Sequence, residues 1–160
     1  EKAFNEFRWV VAGISGDRTQ HLLWRLKNGN YASSHPKLLV LTIGVNNFNE
    51  DSGEETADGI KLILDWLKVN MPQTKVLLIG PLPTGLHPNS SNRIKYDIVH
   101  SIIKNYKSPQ VTYLPFTQYF IKQDGELDTN YCSGDGIHLI EPGYALWAKL
   151  LREAVVEVLK

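Results

Sequence analysis

The sequence predicts an α/β fold, a mainly parallel sheet covered by helices on both faces, and three observations carry that prediction. Short apolar, β-branched runs alternate with longer segments of helical period. Two of the runs, L-L-V-L-T-I at 38–43 and V-L-L-I at 76–79, are almost continuously apolar, as strands buried on both faces are. Loops bearing glycine and asparagine follow at 44–51 and 80–89, where open parallel sheets bind their ligands.

Taken in order, a first strand is expected over residues 7–12, and a helix over 17–28 has Asp17 as its cap and Gly29 as its stop. The strands at 38–43 and 76–79 are assigned to the centre of the sheet. Between them Ile60, Ile63, Leu64 and Leu67 repeat at i, i+3, i+4, i+7, with Pro72 soon after, which predicts a helix with one buried face. A further helix is expected over 91–106 and a fourth strand over 111–114. The last helix starts near Pro142 and carries the stripe Trp147, Leu150, Leu151, Ala154, Val155 and Val158. No repeat or linker interrupts the pattern, so one domain over residues 1–160 is expected.

A chain of 160 residues that is 42% hydrophobic and 21% charged can bury a real core. Seventeen basic residues balance seventeen acidic ones. That balance supplies no electrostatic reason for a nucleic-acid or anionic-membrane partner, and a small neutral ligand fits better. The longest apolar stretches fall far below the about 20 residues a membrane span needs, and residues 1–8 have no apolar core of a signal peptide. The single cysteine, Cys132, has no internal disulfide partner. His21, His35, His87 and His100 lack metal-ligand spacing, so neither a metal nor another cofactor is expected.

Three short motifs carry the possible chemistry. In D-G-I-H, Asp135 stands three positions before His138 on a loop that leads into the last helix. A carboxylate so placed can accept from one ring nitrogen and leave the other as a general base. In G-V-N-N, Asn46 lies just past a strand end, where its amide would point into the crevice as an oxyanion donor. In G-I-S-G-D, Gly16 lies where strand gives way to helix, so its N–H would be among the unpaired donors of a helix N-terminus. Taken alone, each motif is better read as an ordinary turn.

Taken together, G-I-S-G-D-R-T-Q-H-L-L-W-R-L, G-V-N-N and G-D-G-I-H-L-I-E-P-G-Y resemble successive blocks of the SGNH (GDSL) hydrolases. The run L-L-W-R-L-K-N-G is similar to the platelet-activating-factor acetylhydrolase branch. The resemblance implies a flavodoxin-like, three-layer α/β/α fold and acyl transfer to water through an acyl-serine. His138 would act as base then acid, Asp135 would orient it, and Gly16 and Asn46 would hold the oxyanion. Asn47, His87 and Arg93 are expected to contact substrate, a small acyl ester, most simply acetyl, of a sugar or a lipid. Phe48, Tyr119 and Tyr131 are candidates for stacking on a sugar ring.

One block of the family pattern does not occur: the chain has no G-D-S. The expectation is that the first strand and the nucleophilic serine come from a segment upstream of Glu1 or from a second chain, with that strand inserted between those at 7–12 and 38–43. Ser15 lies in the glycine block and is not a substitute. On this reading the chain alone is inactive. The alternative is a non-catalytic carbohydrate- or lipid-binding module that keeps the fold without the serine.

Overall fold

The computed structural model describes residues 4–29 and 31–160. Along the chain these form α1 (Thr19–Asn28), β1 (Leu38–Leu41), α2 (Gly53–Asn70), β2 (Lys75–Leu78), α3 (Ser91–Ile103), β3 (Val111–Tyr113) and α4 (Glu141–Leu159). The strands make one parallel sheet in the order β1-β2-β3, with Leu39 opposite Val76 and Val76 opposite Val111.

Strand period then divides the core into two. Val76 and Leu78 face one side, with Leu41 and the buried stripe Ala57, Ile60, Ile63, Leu64 and Leu67 of α2, flanked by Tyr96, Val99 and Ile103 of α3 and Leu26 of α1. Ile79, the next residue in the alternation, joins Phe116, Phe120, Leu127, Cys132 and Leu139 under Trp147, Leu150 and Leu151 of α4. The result is three layers, α1 to α3 on one face of the sheet and α4 on the other.

Helix α2 starts on a reciprocal cap: Ser52 Oγ accepts from Glu55 N (3.1 Å), while Ser52 N donates to Glu55 Oε2 (2.7 Å). Its glycines set how closely its neighbours approach. A Cβ on Gly59 would come within 2.7 Å of Thr19 Cβ, and one on Gly53 within 2.7 Å of Ile98 Cβ. Among the described residues no helix is long and apolar enough to cross a membrane.

The structure departs from the sequence expectation in four places. Residues 8–14 form no strand; Val10 and Val11 are 90% and 72% exposed. An extended run becomes a strand only when another backbone takes up its N–H and C=O groups, and none of the described residues does so here. Among the described residues β1 is in consequence an edge strand, and Val40 is 37% exposed. Finally, α1 is preceded by Arg18, not Asp17, at its N-cap. Asp17 instead forms an ion pair with Arg25, about two turns into the helix. Helix α3 ends at Ile103, short of the expected 106, and passes into a turn.

Candidate active site

The D-G-I-H segment is a tight turn closed by Ser133 N donating to His138 O at 2.7 Å. The carboxylate of Asp135 organises it: Oδ1 accepts from Ile137 N (2.8 Å) and His138 N (3.0 Å), and Oδ2 lies 2.7 Å from His138 Nδ1. The backbone N–H of His138, then its ring and then the Ile137 N–H hold the Asp135 carboxyl down at about 2. An ionised carboxylate only accepts, so the shared proton sits on Nδ1 and leaves Nε2 as the basic nitrogen. Both side chains are substantially exposed. Gly136, between them, has φ +69°, and a Cβ there would meet Leu86 N at 3.3 Å, so both conformation and space favour glycine.

A second group forms where residues 14–17 meet the loop after β1. Gly16 (φ +80°) bends the chain, with Asp17 N donating to Ile14 O at 3.2 Å. It precedes the N-cap by two residues, so it lies ahead of the helix and its N–H is not, as the sequence suggested, one of the free donors of the helix N-terminus. Asn46 is exposed, in a short 3-10 turn, and its Nδ2 donates to Asp17 O at 3.0 Å. The amide therefore does not simply point into a crevice: one N–H is held on the neighbouring loop, and the group has a second N–H to offer.

Asn47, expected to face substrate, is buried at 1% exposed, and its polar atoms are taken up within the chain. Its Oδ1 accepts from Thr19 N (3.0 Å), while its Nδ2 reaches Thr19 Oγ1 and Gln20 Oε1 (3.1 Å each) and Asp51 Oδ2 (2.6 Å). Asn47 thus caps α1 from outside that helix, taking up an N–H that would otherwise be orphaned.

Arg93 also proves buried, 2% exposed, where sequence reasoning placed it against substrate. Its guanidinium donates to three carbonyls, Thr84 O (3.2 Å), Gly85 O (2.8 Å) and Gly125 O (2.8 Å). His87 is exposed and pairs with Glu126 at 2.8 Å, so it remains available at the surface of this loop. Of the aromatic candidates, Phe48 lies in the core, Tyr131 packs edge-on against Phe120, and Tyr119 is 41% exposed. Cys132 is buried, and burial pushes its thiol up to about 11, which leaves it a weak nucleophile.

Beneath the 80–89 loop, Thr42 Oγ1 donates to Gly80 O (2.8 Å) and His100 Nε2 lies 2.9 Å from Pro81 O. A carbonyl only accepts, so Nε2 carries the proton and Nδ1 accepts from Tyr113 OH at 2.7 Å. Burial lowers the His100 pKa from 6.5 to about 4, against a smaller opposing effect of the Pro81 bond. The neutral ring is thus the folded form, and the unfolded chain binds the extra proton between those values. Stability should be fully present above pH 6.5 and fall, by up to roughly 3 kcal/mol, as the pH drops towards 4. Urea unfolding at pH 7 and pH 4.5 should show that loss, and should show less of it in His100→Gln. An equal loss in both proteins would assign it elsewhere.

The fold therefore joins Asp135 to His138, and Asn46 to the backbone beside Gly16. No hydrogen bond among the described residues runs directly between these two groups, but α3 serves both: Lys95 Nζ donates to Phe48 O (2.6 Å) near Asn46, and Arg93 holds the loops near His138. The structural parts played by Asn47, Thr19 and Arg93 had no local signal beyond the N-N doublet.

Residues 2–146 match the profile of the GDSL-like lipase/acylhydrolase family. The chain is 37% identical to platelet-activating factor acetylhydrolase IB subunit alpha2 of Rattus norvegicus over 159 residues, 98% of this chain and 68% of that protein. It is 33% identical to subunit alpha1 of the same organism, covering 98% and 67%. Among solved structures, a GDSL-like lipase from Bacteroides thetaiotaomicron superposes with a TM-score of 0.79 at 20% identity, over 98% of this chain and 79% of the other. A catalytic mutant of an acetylxylan esterase from Geobacillus stearothermophilus gives 0.65 at 18% identity, over 88% and 69%.

Proposed function

Since the chain belongs to the GDSL-like lipase/acylhydrolase family, and its chemistry is accordingly ester hydrolysis, we propose that it cleaves small acyl esters, above all acetyl esters, through an acyl-serine. The observation that carries the proposal is the His138–Asp135 pair at 2.7 Å on an exposed turn. The serine itself is assigned to a segment upstream of Glu1 or to a second chain, because no G-D-S occurs in the sequence.

In the proposed reaction the serine Oγ attacks the ester carbonyl carbon while its proton passes to His138 Nε2. Asp135 keeps the ring oriented and stabilises the imidazolium. The negative carbonyl oxygen is met by the Asn46 amide and the Gly16 N–H. Collapse of the tetrahedral adduct breaks the bond to the alcohol, which leaves with the proton from His138. Water then repeats the sequence on the acyl-enzyme, releasing the acid and restoring the serine.

The relatives support a small acyl group: one group is named for acetylhydrolysis of platelet-activating factor and one fold neighbour for acetylxylan. Those names differ in the alcohol, so sugar and lipid acetates are tested side by side. The full-length protein should hydrolyse acetylated xylo-oligosaccharides or an sn-2-acetyl phospholipid far faster than long-chain esters. A fluorophosphonate probe should label a serine outside residues 1–160. Binding of these compounds without turnover or labelling would favour the non-catalytic module, and a label on a serine of this chain would overturn the split assignment.

A further inference from the structure

We infer that Arg93 is a positioning residue for the His138–Asp135 pair, acting through the main chain of Thr84 and Gly85; the inference rests on the esterase reading above. Two donors converge on one oxygen of the D-G-I-H turn: Gly85 N reaches Gly136 O at 2.7 Å and Thr84 Oγ1 reaches it at 3.0 Å. Gly136 is the residue that follows Asp135 and lies two before His138. The donors come from the very residues whose carbonyls Arg93 holds, at 3.2 and 2.8 Å. A third bond, to Gly125 O, and the bond from Leu127 N to Leu86 O (2.9 Å) tie the 121–127 bridge into the same assembly.

Arg93 has no carboxylate within ion-pair distance among the described residues. Its hydrogen bonds go to loop carbonyls, with only a through-space attraction from Asp97 beside them, an expensive way to bury a cation unless the fork geometry is used. None of the three bonds serves α3, the helix on which Arg93 stands. What they do is fix the 84–86 segment at the distance where it grips Gly136. That spacing is close: a Cβ on Gly136 would lie 3.3 Å from Leu86 N. Lysine carries the charge but not the planar fork, and cannot reproduce three divergent bonds.

The test uses the full-length protein with p-nitrophenyl acetate. Arg93→Lys should lower kcat by about 10- to 100-fold with KM little changed, the size expected when a catalytic pair is displaced by an ångström or less. Thr84→Val, which removes only the hydroxyl bond to Gly136, should cost about fivefold in kcat. If Arg93→Lys does not fold, Thr84→Val carries the test. Lowered thermal stability with unchanged kcat and KM would overturn the inference and leave Arg93 a purely structural residue. His138→Ala separates the two levels: activity surviving there sinks the esterase assignment itself, whereas an inactive His138→Ala beside normal Arg93→Lys and Thr84→Val sinks only the positioning role.

Discussion

His138→Ala in the full-length protein should lower kcat for acetyl esters by about 10⁶-fold, and Asp135→Asn by about 10⁴-fold. The difference follows from what each group does. His138 moves the proton in both halves of the reaction, whereas Asp135 holds the ring at 2.7 Å and keeps the proton on Nδ1. Asparagine at 135 presents either an oxygen or an N–H to the ring, so part of the population retains the useful tautomer. The pH dependence gives a second reading. Asp135 is held at about 2, below its ordinary 3.8, so its ionised form is present above pH 4 and is lost only as the pH falls through 2. An acid limb of activity above pH 4 therefore belongs to an imidazole, and should persist, on a reduced rate, in Asp135→Asn. Steady-state rates from pH 4 to 9, with circular dichroism to verify folding, decide the matter. A His138→Ala protein with more than a hundredth of the parental kcat would remove the imidazole from the mechanism.

The second large effect is expected at Asn46. Asn46→Ala should reduce kcat by about 10²- to 10³-fold, equivalent to about 2.7–4 kcal/mol of transition-state stabilisation. The folded state loses only the exposed bond to Asp17 O, worth about 1 kcal/mol. Catalysis should thus suffer far more than stability. A loss shared equally between kcat and melting temperature would make Asn46 a loop tie and nothing more. Asn46→Asp is the sharper variant: it keeps the size but replaces the donor with an acceptor that repels both Asp17 O and an oxyanion.

What could be read before the fold was known depended on the range of the interactions involved. Strands β1 and β2 were legible because apolar runs of that length announce burial, and α2 because its stripe repeats at helical spacing. Residues 7–12 have the same local chemistry as a strand, yet strand formation depends on a neighbour that lies elsewhere, and local sequence cannot say whether it is there. For the site, Asp135 and His138 are three residues apart and their pairing is a local event. The burial of Asn47 and Arg93 was not legible, because Asn47 is held by Thr19, 28 residues away, and Arg93 by carbonyls 8, 9 and 32 residues away. A polar residue beside a strand end and one buried under a loop look alike until those distant partners are placed.

Apart from the Thr84 hydroxyl, the loops held by Arg93 are gripped through their main chains: the guanidinium binds three backbone carbonyls, and both bonds onto the D-G-I-H turn end on a backbone oxygen. Such a grip is indifferent to most of the side chains displayed around it. On the proposed esterase reading, the exposed pair His87 and Glu126 can accordingly be exchanged as recognition groups while the acid–base turn stays in register. Ligand preference and catalytic competence would then be separately heritable, and a library varied at these two positions would sample new alcohol moieties without first having to rebuild the machinery that cleaves them.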